Sequence, residues 1–166
     1  TMTLWSDFRT PAQEAPSPEG NSMRVDTRRF FLDTNILVYT FEHEPTVERA
    51  RARELVEMAL TTRLGVISHQ VVQEFLNVAT RRFAVSLTPA DCQEYLAQVL
   101  TPLWHVHPGP ELYRTALHIQ DDSGYGFYDS LIVAGALAGG CRTLYSQDLQ
   151  HGRAFGALVI VDPFRD

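Results

Sequence analysis

Four carboxylates stand where an ordinary surface charge would be unexpected. Asp33 directly follows an apolar run, Glu74 falls at the margin of an apolar helical arc, and Asp148 follows a short apolar segment. Asp129 lies in a helical segment that is otherwise almost entirely apolar, where an unpaired carboxylate would be costly to bury. The simpler explanations are a helix cap for Asp33 and a salt bridge for Asp129, although no nearby base is obviously placed to form one.

Carboxylates that converge in one pocket need a counter-charge. Four ionised groups would repel one another, and some of them would have to bind protons. Mg²⁺ and Mn²⁺ resolve this repulsion because they prefer oxygen ligands. Beside a phosphodiester, such an ion can orient and help deprotonate a water molecule. The four acids therefore predict a divalent-cation site suited to the hydrolysis of phosphodiester bonds.

Other reaction types lack their characteristic residues. The sequence has no glycine-rich phosphate loop and no nucleophile elbow of the G-x-S-x-G kind. His105 and His107 are two residues apart, which is possible metal spacing, but no third soft ligand is close in sequence. We interpret them as ordinary histidines at the end of a strand.

Alternating strands and helices are predicted to position the acids. The run at 30–32 does not alternate with polar residues, which is typical of a central parallel strand buried on both faces. Asp33 then lies at the carboxyl end of that strand, where open α/β sheets bind ligands. Thr34 and Asn35 can cap the short helix that follows.

The remaining elements repeat this alternation. Ser68 can cap the third predicted helix, and the helix that carries Asp129 should pack inside the domain because it is apolar nearly all round. The pattern predicts a parallel sheet with helices on both faces. Further strands are predicted at about 64–67, 103–106, 143–145 and 157–161, and further helices at about 45–62, 69–79, 88–100, 110–120 and 127–138.

Length and composition indicate one soluble globular domain. The chain has 166 residues, of which 45% are hydrophobic and 20% charged. Residues 1–26 are rich in proline and small polar residues and are predicted to form a flexible tail, with 27–166 as the folded domain. No apolar run is long enough to cross a membrane, and no secretion signal or cysteine motif occurs, so we expect a cytoplasmic protein.

The charge balance argues only mildly against a nucleic-acid partner. The net charge is −6, from 14 basic and 20 acidic residues, and all 14 bases are arginine. Nucleic-acid binders are usually basic. The balance does not exclude this role, because acids gathered in a metal site are neutralised by the metal.

Four short motifs follow one another along the chain and contain the four acids. They are FLDTNILVY at 31–39, ISHQVVQEF at 67–75, FYDSLIV at 127–133 and LYSQDLQHG at 144–152. Each motif alone is weak, but the ordered set is specific. From about residue 28 to the end, the sequence resembles the PIN-domain ribonucleases, and within them the VapC-type toxins of bacterial toxin–antitoxin pairs.

The resemblance implies a fold, an activity and partners. The fold would be a PIN-like three-layer α/β/α sandwich with a central parallel sheet. The activity would be that of an endoribonuclease dependent on Mg²⁺ or Mn²⁺, and the partners would be an RNA substrate, a cognate antitoxin and a second copy of the chain. The residues implied are Asp33, Glu74, Asp129 and Asp148 as catalytic metal ligands, with Asn35 and Ser68 as supporting polar groups.

Two other functions fit the same motifs. One is a PIN nuclease that processes RNA without an antitoxin, and the other is a non-catalytic PIN module that binds RNA or protein. The four intact acids count against the non-catalytic module. A small antitoxin-like reading frame directly upstream is expected only for the toxin.

Overall fold

A six-stranded sheet forms the centre of the computed structural model, which describes residues 28–83 and 86–165. The sheet order is β3-β2-β1-β4-β6-β5. The predicted tail at 1–26 lies outside the described residues. The strands are β1 (Phe30–Leu32), β2 (Gly65–Ser68), β3 (Trp104–Val106), β4 (Thr143–Tyr145), β5 (Ala154–Phe155) and β6 (Leu158–Val161).

The sheet is parallel except at one edge. Strand β1 pairs in parallel with β2 on one side and with β4 on the other, so that Phe31 lies opposite both Val66 and Leu144. All three of these side chains are fully buried. The prediction of a central strand buried on both faces is therefore confirmed.

Strand β5 is a feature that the sequence pattern did not predict. It has two residues and pairs antiparallel with β6. The turn between them contains Gly156, whose φ of +60° lies in the left-handed region that favours glycine. Two residues are too few to show a period in hydrophobicity, which is why the strand was missed.

Seven helices lie in the described residues. The helix predicted at 88–100 is longer than expected, because a π-helical turn at Leu96–Leu100 continues it into α5. Pro102 in α5 has no N–H to donate, and the wide turn precedes it. The helices are α1 (Thr34–Tyr39), α2 (Val47–Thr62), α3 (His69–Arg81), α4 (Pro89–Tyr95), α5 (Thr101–Leu103), α6 (Pro110–Ser123) and α7 (Phe127–Ala138).

Helices cover both faces of the sheet. A Cβ placed on Gly65 would meet Ala59 of α2, whereas the side chain of Val66 lies beside Gly139 at the end of α7. Successive residues of a strand face opposite sides of a sheet, so α2 and α7 lie on opposite faces. The chain therefore has the predicted three-layer α/β/α arrangement. None of the described helices is long and apolar enough to span a bilayer.

The observed helix caps agree in part with those predicted from the sequence. In the sequence, Thr88 is followed by a proline and then by an acid three residues on, which predicts a helix start; the structure confirms it as a capping box between Thr88 and Asp91. The predicted cap of α1 was wrong, because Asp33 rather than Thr34 or Asn35 is the N-cap residue. Ser68 occupies the N-cap position of α3 as predicted, but its side chain makes no capping hydrogen bond.

Candidate active site

The carboxyl ends of β1, β2 and β4 meet at one edge of the sheet. Asp33 follows β1, Ser68 ends β2, and Ser146 follows β4. The backbone N–H of Asp33 donates to the carbonyl of Tyr145 at 3.0 Å. This bond extends the β1–β4 pairing by one residue and fixes the backbone of Asp33 at the edge.

Asp33 is buried and accepts hydrogen bonds on both carboxylate oxygens. Only 7% of the residue is exposed. Its Oδ1 accepts from the backbone N–H of Thr34 at 2.7 Å, which caps α1. Its Oδ2 accepts from Ser146 Oγ at 2.6 Å and from Asn35 Nδ2 at 3.4 Å. Asp33 is thus both a helix cap and the buried member of an acidic group.

Glu74 is connected to Asp33 through one threonine. The Oγ1 hydroxyl of Thr34 donates to Glu74 Oε2 at 2.7 Å, while its backbone N–H donates to Asp33. The other oxygen of Glu74, Oε1, accepts from Gln70 Nε2 at 2.9 Å. Glu74 is half-buried, as its position at the margin of the apolar arc predicted.

Asp148 is connected to Asp33 through one asparagine. Asn35 Nδ2 donates to Asp148 Oδ2 at 3.0 Å and more weakly to Asp33. On its other side, Asn35 Oδ1 accepts from the backbone N–H of Gln147 at 3.4 Å. Asn35 therefore donates hydrogen bonds to two of the four acids, and its supporting role in catalysis stays a prediction. Asp148 itself is exposed.

Asp129 is exposed, contrary to the burial expected from its apolar helix. It is the third residue of α7, and only the stretch 130–136 of that helix is fully buried. A helix N-terminus favours a negative charge, so an acid in the first turn is stable there without a salt bridge. Within the described ranges, none of the four predicted acids pairs with an arginine or a histidine.

An arginine holds the segment that leads into α7. The Arg153 guanidinium lies over the ring of Tyr125, 4.5 Å from its centroid, and 5.3 Å from the centroid of Phe155. Its Nη2 donates to the carbonyl of Ser123 at 3.1 Å. Stacking and hydrogen bonding together fix the connection between α6 and α7, and with it the start of the helix that carries Asp129.

Burial and mutual repulsion raise the pKa values of two of the four acids. The pKa of Asp33 is raised from 3.8 to about 6, chiefly by burial; the hydrogen bonds from Ser146 and Thr34 lower it, and the charges of Glu74 and Asp148 add to the rise. Partial desolvation, followed by the charges of Asp148 and Glu74, also raises the pKa of Asp129. Because Glu74 and Asp148 act on both other acids, the four carboxylates share one electrostatic environment.

The described residues do not form a closed metal-ligand group. In the ranges 28–83 and 86–165, no three His, Cys, Asp or Glu side chains are arranged so that they could hold one ion. Neutral side chains bridge the acids instead. The donor chemistry nevertheless fits Mg²⁺ or Mn²⁺, because every acidic group offers oxygen and none is neutralised by a base. Metal binding by these acids remains a prediction.

A family model described as PIN domain matches residues 30–154, which include all four acids. The match spans most of the chain and runs from the first residue of β1 to the first residue of β5. The chain belongs to the PIN domain family. This membership confirms the resemblance that the four motifs carried. Among curated proteins, none matches the sequence significantly.

Solved structures share the fold of this PIN domain at low sequence identity. VapC20 of Mycobacterium tuberculosis, described as a sarcin-ricin loop cleaving toxin, has a TM-score of 0.53 and 21% identity, over 72% of this chain and 89% of that chain. FitAcB from Neisseria gonorrhoeae has a TM-score of 0.55 and 18% identity, over 81% and 97%. VapBC2 from Rickettsia felis, bound to a DNA fragment from its promoter, has a TM-score of 0.53 and 17% identity, over 79% and 96%.

Sequence reasoning missed three neutral residues of this PIN domain site. The side chains of Thr34, Gln70 and Ser146 each donate a hydrogen bond to one of the acids. Two of them had a usable signal, since Gln70 lies four residues before Glu74 on a helix and Ser146 follows a strand as Asp33 does. By contrast, the hydroxyl of Ser68 is buried and makes no hydrogen bond within the described part of the chain, so its predicted supporting role remains a prediction.

A cavity of the PIN domain is lined by none of the four acids. This cavity of about 470 Å³ lies between α6, α7 and the residue after β3, where His107 lines it. His105 and His107 are exposed, and neither belongs to a metal-ligand group within the described residues. The ring of His107 lies against that of Trp104, with 5.3 Å between centroids.

The raised pKa of Asp33 predicts a specific pH dependence of stability. A carboxyl with a pKa of 3.8 in the unfolded chain and about 6 in the fold is stabilising when neutral, and this contribution is lost as the pH rises through 6. The ionised group thus costs about 3 kcal/mol at pH 7. In urea unfolding with EDTA, we expect Asp33→Asn to be more stable than the wild type at pH 7. The advantage should fall by about half at pH 5. An advantage independent of pH would contradict the shift.

Proposed function

We propose that this PIN-domain protein is a divalent-metal-dependent endoribonuclease and the toxin of a toxin–antitoxin pair. The observation that carries this proposal is the environment of Asp33. A buried carboxylate with a pKa raised to about 6 shares its surroundings with Glu74 and Asp148, and none of the three is paired with a base in the described residues. Such a group is expected where a cation supplies the missing positive charge.

In this proposal the acids bind the cation, and the neutral residues that bridge them hold the carboxylates in place. Asp33, Glu74, Asp129 and Asp148 would hold Mg²⁺ or Mn²⁺, which would supply positive charge at the phosphodiester and make a nearby water easier to deprotonate. Thr34 and Ser146 fix the buried Asp33 carboxylate, and Asn35 fixes Asp148, by the hydrogen bonds described above.

The substrate is proposed to be RNA. The motifs that contain the acids resemble those of PIN-domain ribonucleases, and a structure with the same fold is described as cleaving the sarcin-ricin loop. The exposure of Asp129 and Asp148 is compatible with a bulky polymer, since both acids can be reached from solvent, whereas Asp33 is buried.

A cognate antitoxin is the proposed protein partner. VapBC2, a structure with the same fold, is described as bound to promoter DNA. Several carboxylates in one place attract a cation strongly, and an arginine side chain can bond two carboxylate oxygens at once. We infer that the antitoxin inhibits the enzyme by placing an arginine against the acids. A homodimer of this chain is part of the same proposal.

Cleavage of defined RNAs tests the enzymatic part of the proposal. The purified chain would be incubated with end-labelled RNA and with DNA of the same sequence, each with Mn²⁺. We expect discrete cuts in at least one RNA and none in the DNA. Failure to cut any RNA in a panel of structured and unstructured substrates would favour the non-catalytic module. The lack of a closed ligand group among the described residues is the observation that keeps this alternative open.

Coexpression with the upstream neighbouring gene tests the toxin part. A toxin should be recovered as an inactive complex that regains nuclease activity when the partner is removed. Recovery of an active nuclease with no bound partner would indicate an RNA-processing enzyme instead.

Asp148→Asn is expected to have a modest effect on this activity. Asp148 is exposed, and Asn35 Nδ2 is its one hydrogen-bond donor within the described residues. An asparagine retains an oxygen that can accept the same bond, so only the charge is lost. We expect cleavage in Mn²⁺ to fall by about tenfold. A loss as large as that of Asp33→Asn would show that all four acids are equally required.

A further inference from the structure

Gln70 is a buried polar residue that contacts two parts of the acidic site. It is the second residue of α3, and only 4% of it is exposed. Its Nε2 donates to Glu74 Oε1 at 2.9 Å and to the backbone carbonyl of Tyr128 at 3.2 Å. Tyr128 directly precedes Asp129 in the first turn of α7. One amide therefore bonds an acid of α3 and the residue next to an acid of α7.

The chemistry of these partners fixes the orientation of the amide. An ionised carboxylate and a backbone carbonyl can only accept hydrogen bonds, so the NH₂ group of Gln70 must face both of them. The remaining oxygen, Oε1, is buried and has no hydrogen-bond partner among the described residues. Leaving a buried acceptor unpaired is unfavourable. An apolar side chain of similar volume would avoid this penalty, so the two donated bonds are what the amide contributes.

We propose that Gln70 is a positioning residue of the active site, an inference that rests on the proposed nuclease function. By bonding Glu74 and the carbonyl of Tyr128 with one NH₂ group, Gln70 fixes the Glu74 carboxylate relative to the start of α7. The distance between Glu74 and Asp129 then depends on this amide. Gln70 touches an acid but need not touch RNA or the cation, so its loss should affect turnover and metal binding more than RNA binding.

The test compares the same substitution at two positions of α3. Gln70→Met keeps the length of the side chain and removes the donor, and Gln73→Met makes the same change at an exposed position three residues away. Steady-state RNA cleavage in Mn²⁺ would give kcat and KM, and calorimetry would give the Mn²⁺ affinity of the RNA-free protein. A thermal melt of each variant would report its folding.

We expect Gln70→Met to lower kcat and Mn²⁺ affinity by about 10- to 100-fold, as other changes to residues that orient metal ligands do. KM for RNA should change by less than about threefold, because the interaction is not one that binds substrate. Gln73→Met should behave as the wild type. If Gln70→Met does not fold, Gln70→Asn provides the test, since it retains a donor on a shorter side chain that cannot reach both partners.

Two outcomes would overturn the role of Gln70, and they are distinguishable from failure of the proposed function. If the wild type cleaves RNA with Mn²⁺ and the folded Gln70 variant matches Gln73→Met in kcat and Mn²⁺ affinity, the positioning role is wrong. A lowered melting temperature with unchanged kcat would likewise show a purely structural residue. If the wild type neither binds Mn²⁺ nor cleaves RNA, the proposed function fails, and the positioning role fails with it.

Discussion

Replacing Asp33 by asparagine is expected to lower Mn²⁺-dependent RNA cleavage by more than about a hundredfold, since changes that merely disturb the orientation of metal ligands already cost 10- to 100-fold. Asp33 is the most buried of the four acids. In its place, a neutral amide would remove the negative charge that the cation needs.

The Asp33→Asn protein should still fold. Asparagine is as good an N-cap as aspartate, so its Oδ1 can accept from the Thr34 N–H in the same way. The hydroxyl of Ser146 donates to Asp33 now, and it can turn to accept from the new NH₂ group. Circular dichroism and urea unfolding would check the fold alongside the cleavage rate. Wild-type activity in a folded Asp33→Asn protein would rule out Asp33 as a catalytic residue.

Removing divalent cations is expected to reduce cleavage to the level of the uncatalysed control. The chain places no base beside the acids within the described residues, so it has no other positive charge there to stabilise a phosphodiester transition state. We expect a protein dialysed against EDTA to be inactive and to regain full activity with Mn²⁺ or Mg²⁺.

The control for this experiment is the recovery of activity in the same protein sample when the cation is added back. Activity restored by Mn²⁺ shows that EDTA removed an ion and did not unfold the chain. Equal cleavage rates in EDTA and in Mn²⁺ would contradict the metal mechanism and would require another source of catalysis.

The parts of the fold that depend on local patterns were predicted well. The unbroken apolar run of β1 indicated a central strand. The residues that recur at helical spacing in the sequence of α2 form its buried face, and they are Ala52, Leu55, Val56 and Ala59. The cap at Thr88 with Asp91 was predicted from its spacing alone. Strand burial, helix periodicity and capping are set by residues a few positions apart, so a sequence shows them directly.

The position of Asp129 was misjudged because burial depends on where a helix begins. The helix that contains it is apolar nearly all round, which suggested that every residue in it is buried. The first turn of α7 instead projects beyond the packed part of the helix, and Asp129 and Tyr128 are both exposed there. Periodicity identifies the face of a helix that is buried but does not reveal how far along its axis the packing extends.

The long-range hydrogen bonds of the site could not be predicted from local spacing. Ser146 donates to Asp33 across 113 positions of sequence, and Gln70 reaches the carbonyl of Tyr128 across 58. These contacts exist because parallel strands bring their carboxyl ends together and because α3 and α7 meet at that edge. The acids were found from their unusual surroundings, whereas contacts between residues this far apart in sequence leave no local signal.

Calorimetric titration of Mn²⁺ into the metal-free protein at pH 7 tests most directly whether these acids form a cation site. The wild type and Asp33→Asn would be titrated in parallel, with folding confirmed for both. We predict saturable binding to the wild type and an affinity at least about tenfold weaker for Asp33→Asn. Equal affinities for the two proteins, or no binding to the folded wild type, would contradict the proposed site.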